Sequence, residues 1–155
     1  KGGMTVYDLE ELELAYAPPY SSAKDPVNIA GFVAANLLKG DLQQIVWNEL
    51  PKIDPDREVL IDLREPTELR TEGTIAGSIH IPLPHLRERL HELDREKAYI
   101  PFCAAGLRSY IAHRILVQHG FNSRSLAGGF GILKPMRNRL TRLIVDKPAP
   151  AGRKD

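Results

Sequence analysis

Cys103 opens the run Cys103-Ala104-Ala105-Gly106-Leu107-Arg108-Ser109 and is the only cysteine of the chain. A lone thiol cannot form an intrachain disulfide or a multi-cysteine metal site, but it can be a nucleophile. A β-like run, Ala98 to Phe102, leads into it and an amphipathic helical pattern follows. That order sets the thiol at a helix N-terminus, where backbone N–H groups and the helix dipole favour an anion. Ala104, Ala105 and Gly106 are small, so the backbone can curl tightly with its N–H groups inward. Arg108 adds a fixed positive charge near the end of the loop, and Ser109 is placed to help cap the helix. A cysteine in such a place has a depressed pKa and reacts as thiolate. The competing reading is structural, because a solitary cysteine is commonly a small buried hydrophobe.

The elements that must hold this loop are legible on both sides of it. Val59 to Leu63 reads as a buried strand, Ile79-His80-Ile81 as a short strand stopped by Pro82, and Ala98 to Phe102 as the strand before the cysteine. Leu86, Leu90 and Leu93 mark a helix. Leu107, Ile111 and Ile115 share one face of another, ending at Gly120. Phe121 to Leu126 reads as a further strand, Gly128-Gly129 as a turn, and Ile132, Leu133, Met136, Leu140 and Leu143 as a last helix. Strands alternating with helices predict an α/β fold with a parallel sheet covered on both faces. In such sheets functional groups gather beyond the carboxyl ends of strands, where Cys103 and the pair Asp62 and Arg64 fall.

The first third is different. Asp8 to Tyr16 reads as an acidic helix broken by Ala17-Pro18-Pro19-Tyr20. Asp25-Pro26 then resembles an N-cap followed by proline at the first helical position. Val27, Ala30, Ala34 and Leu37 follow at helical spacing, and Gly40 ends the helix. Leu42, Ile45, Val46 and Leu50 form a second stripe closed by Pro51. The composition shifts near Pro55, which predicts a helical extension over 1–54, an α/β domain over 55–145 and a disordered tail over 146–155. The extension is too small to be comfortable alone, so its stripes must pack on the rest of the chain or on a partner.

Bulk properties narrow the classes. The chain has 155 residues, 43% of them hydrophobic, enough for a core. A formal net charge of +1 gives no reason to expect nucleic acid or an anionic membrane as partner. No apolar run approaches a membrane span. One free cysteine suits a reducing cytoplasm.

The second half resembles the rhodanese family. The resemblance rests on Asp62-x-Arg64 after a hydrophobic strand, Glu65 and Glu68 just beyond, Gly77-Ser78-Ile79-His80-Ile81-Pro82, the Cys103-x-x-Gly106-x-Arg108-Ser109 loop, and Leu126-x-Gly128-Gly129, in the family's order. It implies a parallel sheet of about five strands with helices on both faces. It also implies sulfurtransferase chemistry, in which the cysteine takes a sulfane sulfur from a donor, carries it as a persulfide and yields it to cyanide or a thiol. On this reading Cys103 is catalytic, and Ala104, Ala105, Gly106, Leu107 and Arg108 form the substrate cradle. Asp62, Arg64 and Ser109 support it. Arg108 is open between anchoring the loop by an ion pair and attracting an anionic donor. His80 and His85 are structural, since the family needs no histidine base. Cysteine phosphatases of related fold need a longer loop, sized for phosphate; only four residues separate Cys103 from Arg108. The family often has a histidine where this chain has Thr74.

Leu14-Ala15-Tyr16-Ala17-Pro18-Pro19-Tyr20-Ser21-Ser22-Ala23-Lys24-Asp25-Pro26-Val27-Asn28 is similar to the C-terminal end of the coenzyme A-disulfide reductase branch of the pyridine nucleotide–disulfide oxidoreductases. The resemblance makes this region the remnant of a dimerisation surface, with Tyr16, or else Tyr20, as the tyrosine that reaches a partner's active site. It implies a homodimer or a reductase partner through residues 1–50. With no Gly-x-Gly-x-x-Gly in the chain, neither FAD nor NAD(P)H is expected, nor any metal. The expected substrate is a small sulfur compound, coenzyme A persulfide among the candidates. A non-catalytic binding or sulfur-delivery module is the alternative, and a thiol redox sensor a third reading.

Overall fold

The computed structural model describes residues 2–14, 24–133 and 144–145. Tyr16, Tyr20, most of the expected last helix and the tail over 146–155 lie outside the described residues. The chain divides into two compact units, Lys1–Gln43 and Gln44–Asp155.

In the first unit, helix α1 (Val6–Glu10) starts at Thr5, whose Oγ1 accepts from the Asp8 amide while the Asp8 carboxylate accepts from the Thr5 amide. It is shorter than the Asp8–Tyr16 helix expected. Its end is capped from outside: Asn28 Nδ2 donates to the carbonyls of Leu9, Glu10 and Leu12 at 3.0, 3.3 and 3.0 Å. Helix α2 (Pro26–Lys39) begins and ends at the expected signals, with Pro26 in its first turn and Gly40 at φ 77° closing it. Its buried face is Asn28, Gly31 and Ala35, not the Val27, Ala30, Ala34 and Leu37 stripe. The reason is α1. A Cβ on Gly31 would lie 2.8 Å from the Glu10 amide nitrogen, so the small residue admits the neighbouring backbone and the helix turns that face inward.

The second unit begins at Gln44, so the break expected at Pro55 falls inside it. Strand β1 (Gln44–Ile45) and a 3₁₀ turn over Trp47–Lys52 place Ile45 and Leu50 in its core. Next come β2 (Glu58–Asp62), α3 (Pro66–Glu72), β3 (Thr74–Ile75), β4 (Ile79–His80), β5 (Ala98–Phe102) and α4 (Leu107–Gln118). The chain continues as β6 (Asn122–Ser123), β7 (Ser125–Leu126), α5 (Gly129–Leu133) and β8 (Ile144–Val145). The central parallel sheet has four strands in the order β4-β2-β5-β6, with β1 and β7 a separate parallel pair and β3 and β8 an antiparallel one. The expected single strand over Phe121–Leu126 is interrupted at Arg124, whose amide donates to Tyr99 O and whose side chain pairs with Glu58. Pro101 sits inside β5 but beyond Ala98 and Tyr99, the two residues that pair with β6.

Successive residues of a strand point to opposite faces. Ile61 and Tyr99 enter one core with Leu63, Leu86, Leu116 and Phe121; Leu60 and Ile100 enter the other with Ile45, Phe102, Leu126 and Phe130. Both faces are therefore covered, and the fold is the expected α/β class. Between β4 and β5, two 3₁₀ turns (Leu83–His85 and Leu90–Glu92) replace the expected helix. Pro82 and Pro84 remove amide donors there, while Leu86 and Leu93 still reach the core.

Candidate functional site

Cys103 follows β5 directly and is 2% exposed. The chain then turns through Gly106, at φ 132°, into α4. That conformation is open to glycine alone at little cost. It brings the Gly106 amide to 3.1 Å from Cys103 Sγ.

The rest of the cradle is made by pulling the loop's carbonyls outward. Phe130 N donates to Cys103 O at 2.7 Å and Gly131 N donates to Ala104 O at 2.8 Å, so both carbonyls face α5. In a trans peptide the N–H points opposite to the carbonyl of the same plane. The amides of Ala104 and Ala105 therefore turn away from α5 and toward the loop interior. Such an approach requires glycine: a Cβ on Gly129 would sit 2.3 Å from Cys103 O, and one on Gly131 2.9 Å from Ala104 O.

Burial alone would push the Cys103 thiol up, but the amides of Gly106, Ser109 and Ala105 outweigh it and hold the thiol below its ordinary value. Ser109 does not cap α4; Gly106 occupies that position. Ser109 Oγ instead donates to Gly106 O at 2.7 Å, receives Ser125 Oγ at 3.1 Å, and lies 4.0 Å from Cys103 Sγ. It fixes the turn that carries the critical amide. The buried face of α4 is Ser109, Ala112, His113, Ile115 and Leu116, while Leu107 and Ile111 are exposed, contrary to the expected apolar stripe. The loop dictates this, because Ser109 must face inward. Leu107, expected in the cradle, is 73% exposed, and its amide is not among those that lower the Cys103 pKa.

Arg108 resolves as an ion pair. Its Nη1 and Nη2 donate to the two oxygens of Glu68 on α3, at 2.7 and 2.8 Å. The pairing, with an added hydrogen bond from the Glu65 amide, overcomes burial and holds the Glu68 carboxyl down at about 2. The Cys103 charge also contributes to holding the Arg108 proton, so the guanidinium lies within electrostatic reach of the thiol. Because the folded pKa is depressed, the Glu68 contribution to stability is present above the ordinary glutamate value and fades as pH falls toward about 2. Thermal melts of the native chain and Glu68→Gln are expected to differ by a constant margin at neutral pH. That margin should close between about pH 4.5 and pH 2; a margin that persists at acid pH would contradict the pairing.

Asp62 and Arg64 do not touch the thiol. Arg64, 0% exposed, donates through Nε and Nη2 to Asp62 at 3.0 and 2.7 Å, through Nη2 to Gly73 O at 2.7 Å and through Nη1 to Glu72 at 3.2 Å. Its guanidinium lies 4.0 Å from the Phe130 ring centroid. Phe130 is the residue whose amide holds Cys103 O, so the Asp62–Arg64 pair supports the cradle from beneath. Thr74 Oγ1 donates to Asp62 Oδ2 at 2.6 Å, and His80 Nε2 donates to Arg64 O at 2.7 Å. His85 is exposed on the surface near Glu88. The bracing roles of Thr74, Ser125, Phe130 and Gly131 escaped the sequence reading; the double glycine was the one signal that backbones approach closely here. Among the described residues no group of three or more His, Cys, Asp or Glu is arranged to hold a metal, and no helix is long and apolar enough to cross a membrane.

A buried thiol at the end of a parallel strand, with loop amides that stabilise its anion, defines an α/β protein with a cysteine anion cradle. Residues 42–131 match the rhodanese-like domain, and the chain belongs to that family. It is 30% identical over 77 residues to a sulfurtransferase of Allochromatium vinosum, a match covering 49% of this chain and 71% of that protein. Among solved structures, it superposes on the reduced CoADR-RHD of Bacillus anthracis with a TM-score of 0.84 and 43% identity, over 92% of this chain and 25% of that one. A NAD-dependent persulfide reductase from A. fulgidus gives a TM-score of 0.70 and 42% identity, over 83% of this chain and 23% of that one. The chain thus spans about a quarter of the length of these two proteins.

Proposed function

We propose that the chain is a rhodanese-type sulfurtransferase that carries sulfane sulfur as a persulfide on Cys103. The observation that carries this reading is the buried thiol with the Gly106 amide 3.1 Å from its sulfur and its pKa lowered by the loop. With thiosulfate as donor, the Cys103 thiolate attacks the outer sulfur, the S–S bond of thiosulfate breaks and sulfite leaves with the bonding pair. With a polysulfide or coenzyme A persulfide, the leaving group is the shortened polysulfide or the thiolate. The new terminal sulfur carries the negative charge into the centre of the loop. There the amides that stabilised the thiolate meet it, as an oxyanion hole meets oxygen. A cyanide or thiolate acceptor then attacks that sulfur and restores the Cys103 thiolate.

The chain's match to about a quarter of each reductase supports a second reading, a sulfur-delivery module of a longer protein. On this reading residues 1–54 are the C-terminal end of a reductase, and residues 1–50 offer a homodimer or reductase contact. A free thiol that must stay reduced fits the cytoplasm.

Intact-protein mass spectrometry after incubation with thiosulfate, and separately with polysulfide, tests the reading. A one-sulfur adduct is expected on the native chain, removed by cyanide and missing from Cys103→Ser. An unmodified native chain with both donors would overturn independent catalysis and leave the delivery module.

A further inference from the structure

A second concavity lies at the opposite end of the sheet from Cys103. Cys103 follows the carboxyl end of β5, whereas this cleft is flanked by Arg95, just before β5, and Phe121, just before β6. It has a volume of about 370 Å³ and is lined by Arg87, Glu88, Leu90, His91, Leu93, Arg95, His119 and Phe121. Its ionisable lining is two permanent cations, two histidines and one carboxylate.

Arg95, His91 and His119 are held in place before any ligand arrives, while Arg87 lines the cleft from an exposed position. Arg95 stacks on Phe121, its guanidinium carbon 4.8 Å from the ring centroid, and donates to His119 O at 3.1 Å. That bond covers the carbonyl at the negative end of α4, which would otherwise repel an anion. His91 Nδ1 donates to Glu88 O and His119 Nδ1 to Ile115 O, both at 2.8 Å. With Nδ1–H donating, Nε2 of each neutral ring is an acceptor, suited to a hydroxyl or amine of the ligand and not to a phosphate oxygen, which leaves the anion to the two arginines. Glu88, the opposing charge, lies 3.7 Å from His85 Nδ1. Leu90, Leu93 and the Phe121 ring supply an apolar wall.

We propose that this cleft binds the phosphate group of a small phosphorylated molecule, with Arg87 and Arg95 as its principal cationic contacts. The volume accommodates a ligand of mononucleotide size, and a guanidinium already stacked on one ring can take a second flat group on its other face. The site is separate from the persulfide chemistry and does not depend on it.

The test is amide chemical-shift titration of the full chain with inorganic phosphate, adenosine monophosphate and adenosine. Saturable shifts confined to residues 87–95 and 117–121 are expected with the two phosphate-bearing probes and none with adenosine. Tighter binding of the nucleotide would identify a ring-bearing ligand; equal binding would identify phosphate alone. Arg87→Gln, at an exposed position outside either core, should weaken both by about tenfold, the worth of one charged hydrogen bond. Arg95→Gln should do the same, but it also frees Phe121 and His119, so the Arg87 variant decides. Shifts centred on residues 103–108, adenosine binding as well as its phosphate, an unchanged affinity in Arg87→Gln, or no saturation at about 10 mM would each overturn the assignment.

Discussion

Arg64→Met is expected to lower the unfolding free energy by about 3–5 kcal/mol, read from the urea midpoint at an unchanged slope. The substitution keeps the length of the side chain but leaves the Asp62 carboxylate, 0% exposed, without its principal partner. The Thr74 hydroxyl and the Arg64 amide would still donate to it, at 2.6 and 3.0 Å, yet neither carries charge. Gly73 O loses its donor as well, and the Phe130 ring loses the cation beneath it. Set against a typical stability of about 5–15 kcal/mol, the loss is a large share of the total. The double variant Asp62→Leu, Arg64→Met should lose less than Arg64→Met alone, because it leaves no buried charge uncompensated. A single-variant loss below about 1 kcal/mol would show that water reaches the pair and that it braces nothing.

That network marks the limit of what the sequence discloses. The strand runs before Asp62 and Cys103 are continuous apolar segments with one reading, and β2 and β5 stand where they were expected. Pro26 and Gly40 delimit α2 because each fixes a local backbone conformation that needs no tertiary partner. Helix faces were another matter. In α2 and α4 the inward residues include Asn28, Gly31, Ser109 and His113, small or polar groups chosen by what lies opposite them, beside the apolar Ile115 and Leu116. Hydropathy ranks Leu107 and Ile111 above these and so points to the wrong side.

The same distinction runs through the site. Cys103, Gly106 and Arg108 sit in one short run and were readable as a unit. Glu68 reaches Arg108 across 40 residues, and Phe130 holds the loop from a separate helix. A capping pattern was nonetheless present at α3. Glu65 precedes Pro66, and Glu68 reaches back to accept from the Glu65 amide at 2.8 Å. One carboxylate thereby starts α3 and anchors α4, leaving Arg108 neutralised as a pair. The charge facing the Cys103 sulfur is accordingly set by backbone dipoles more than by a free guanidinium.

Gly106→Ala isolates those dipoles. No atom lies within 4 Å of where its Cβ would stand, so the substitution introduces no collision, only a φ of 132° that alanine cannot hold without strain. Such strain costs about 1–3 kcal/mol, and the turn relieves it by rotating the Gly106 amide away from the sulfur. The folded core should be nearly untouched, since Ser109 and α4 retain their own contacts, and near-UV circular dichroism checks this. The expected loss is in chemistry. Without its nearest donor, burial dominates and the Cys103 pKa rises, the reverse of its direction in the native chain. The persulfide loses the same donor, so rate and carrier stability fall together. Persulfide loading at neutral pH should drop by about 100-fold, the scale seen when one preorganised amide-type donor is removed from an anion hole. The pH at which loading reaches half its plateau should move up, and raising the pH should recover part of the rate. A variant that loads at the native rate, with an unmoved pH profile, would show that the cradle does not set the reactivity of Cys103. Recovery of the entire rate at high pH would assign the amide to thiolate formation alone; a residual deficit would measure its hold on the persulfide.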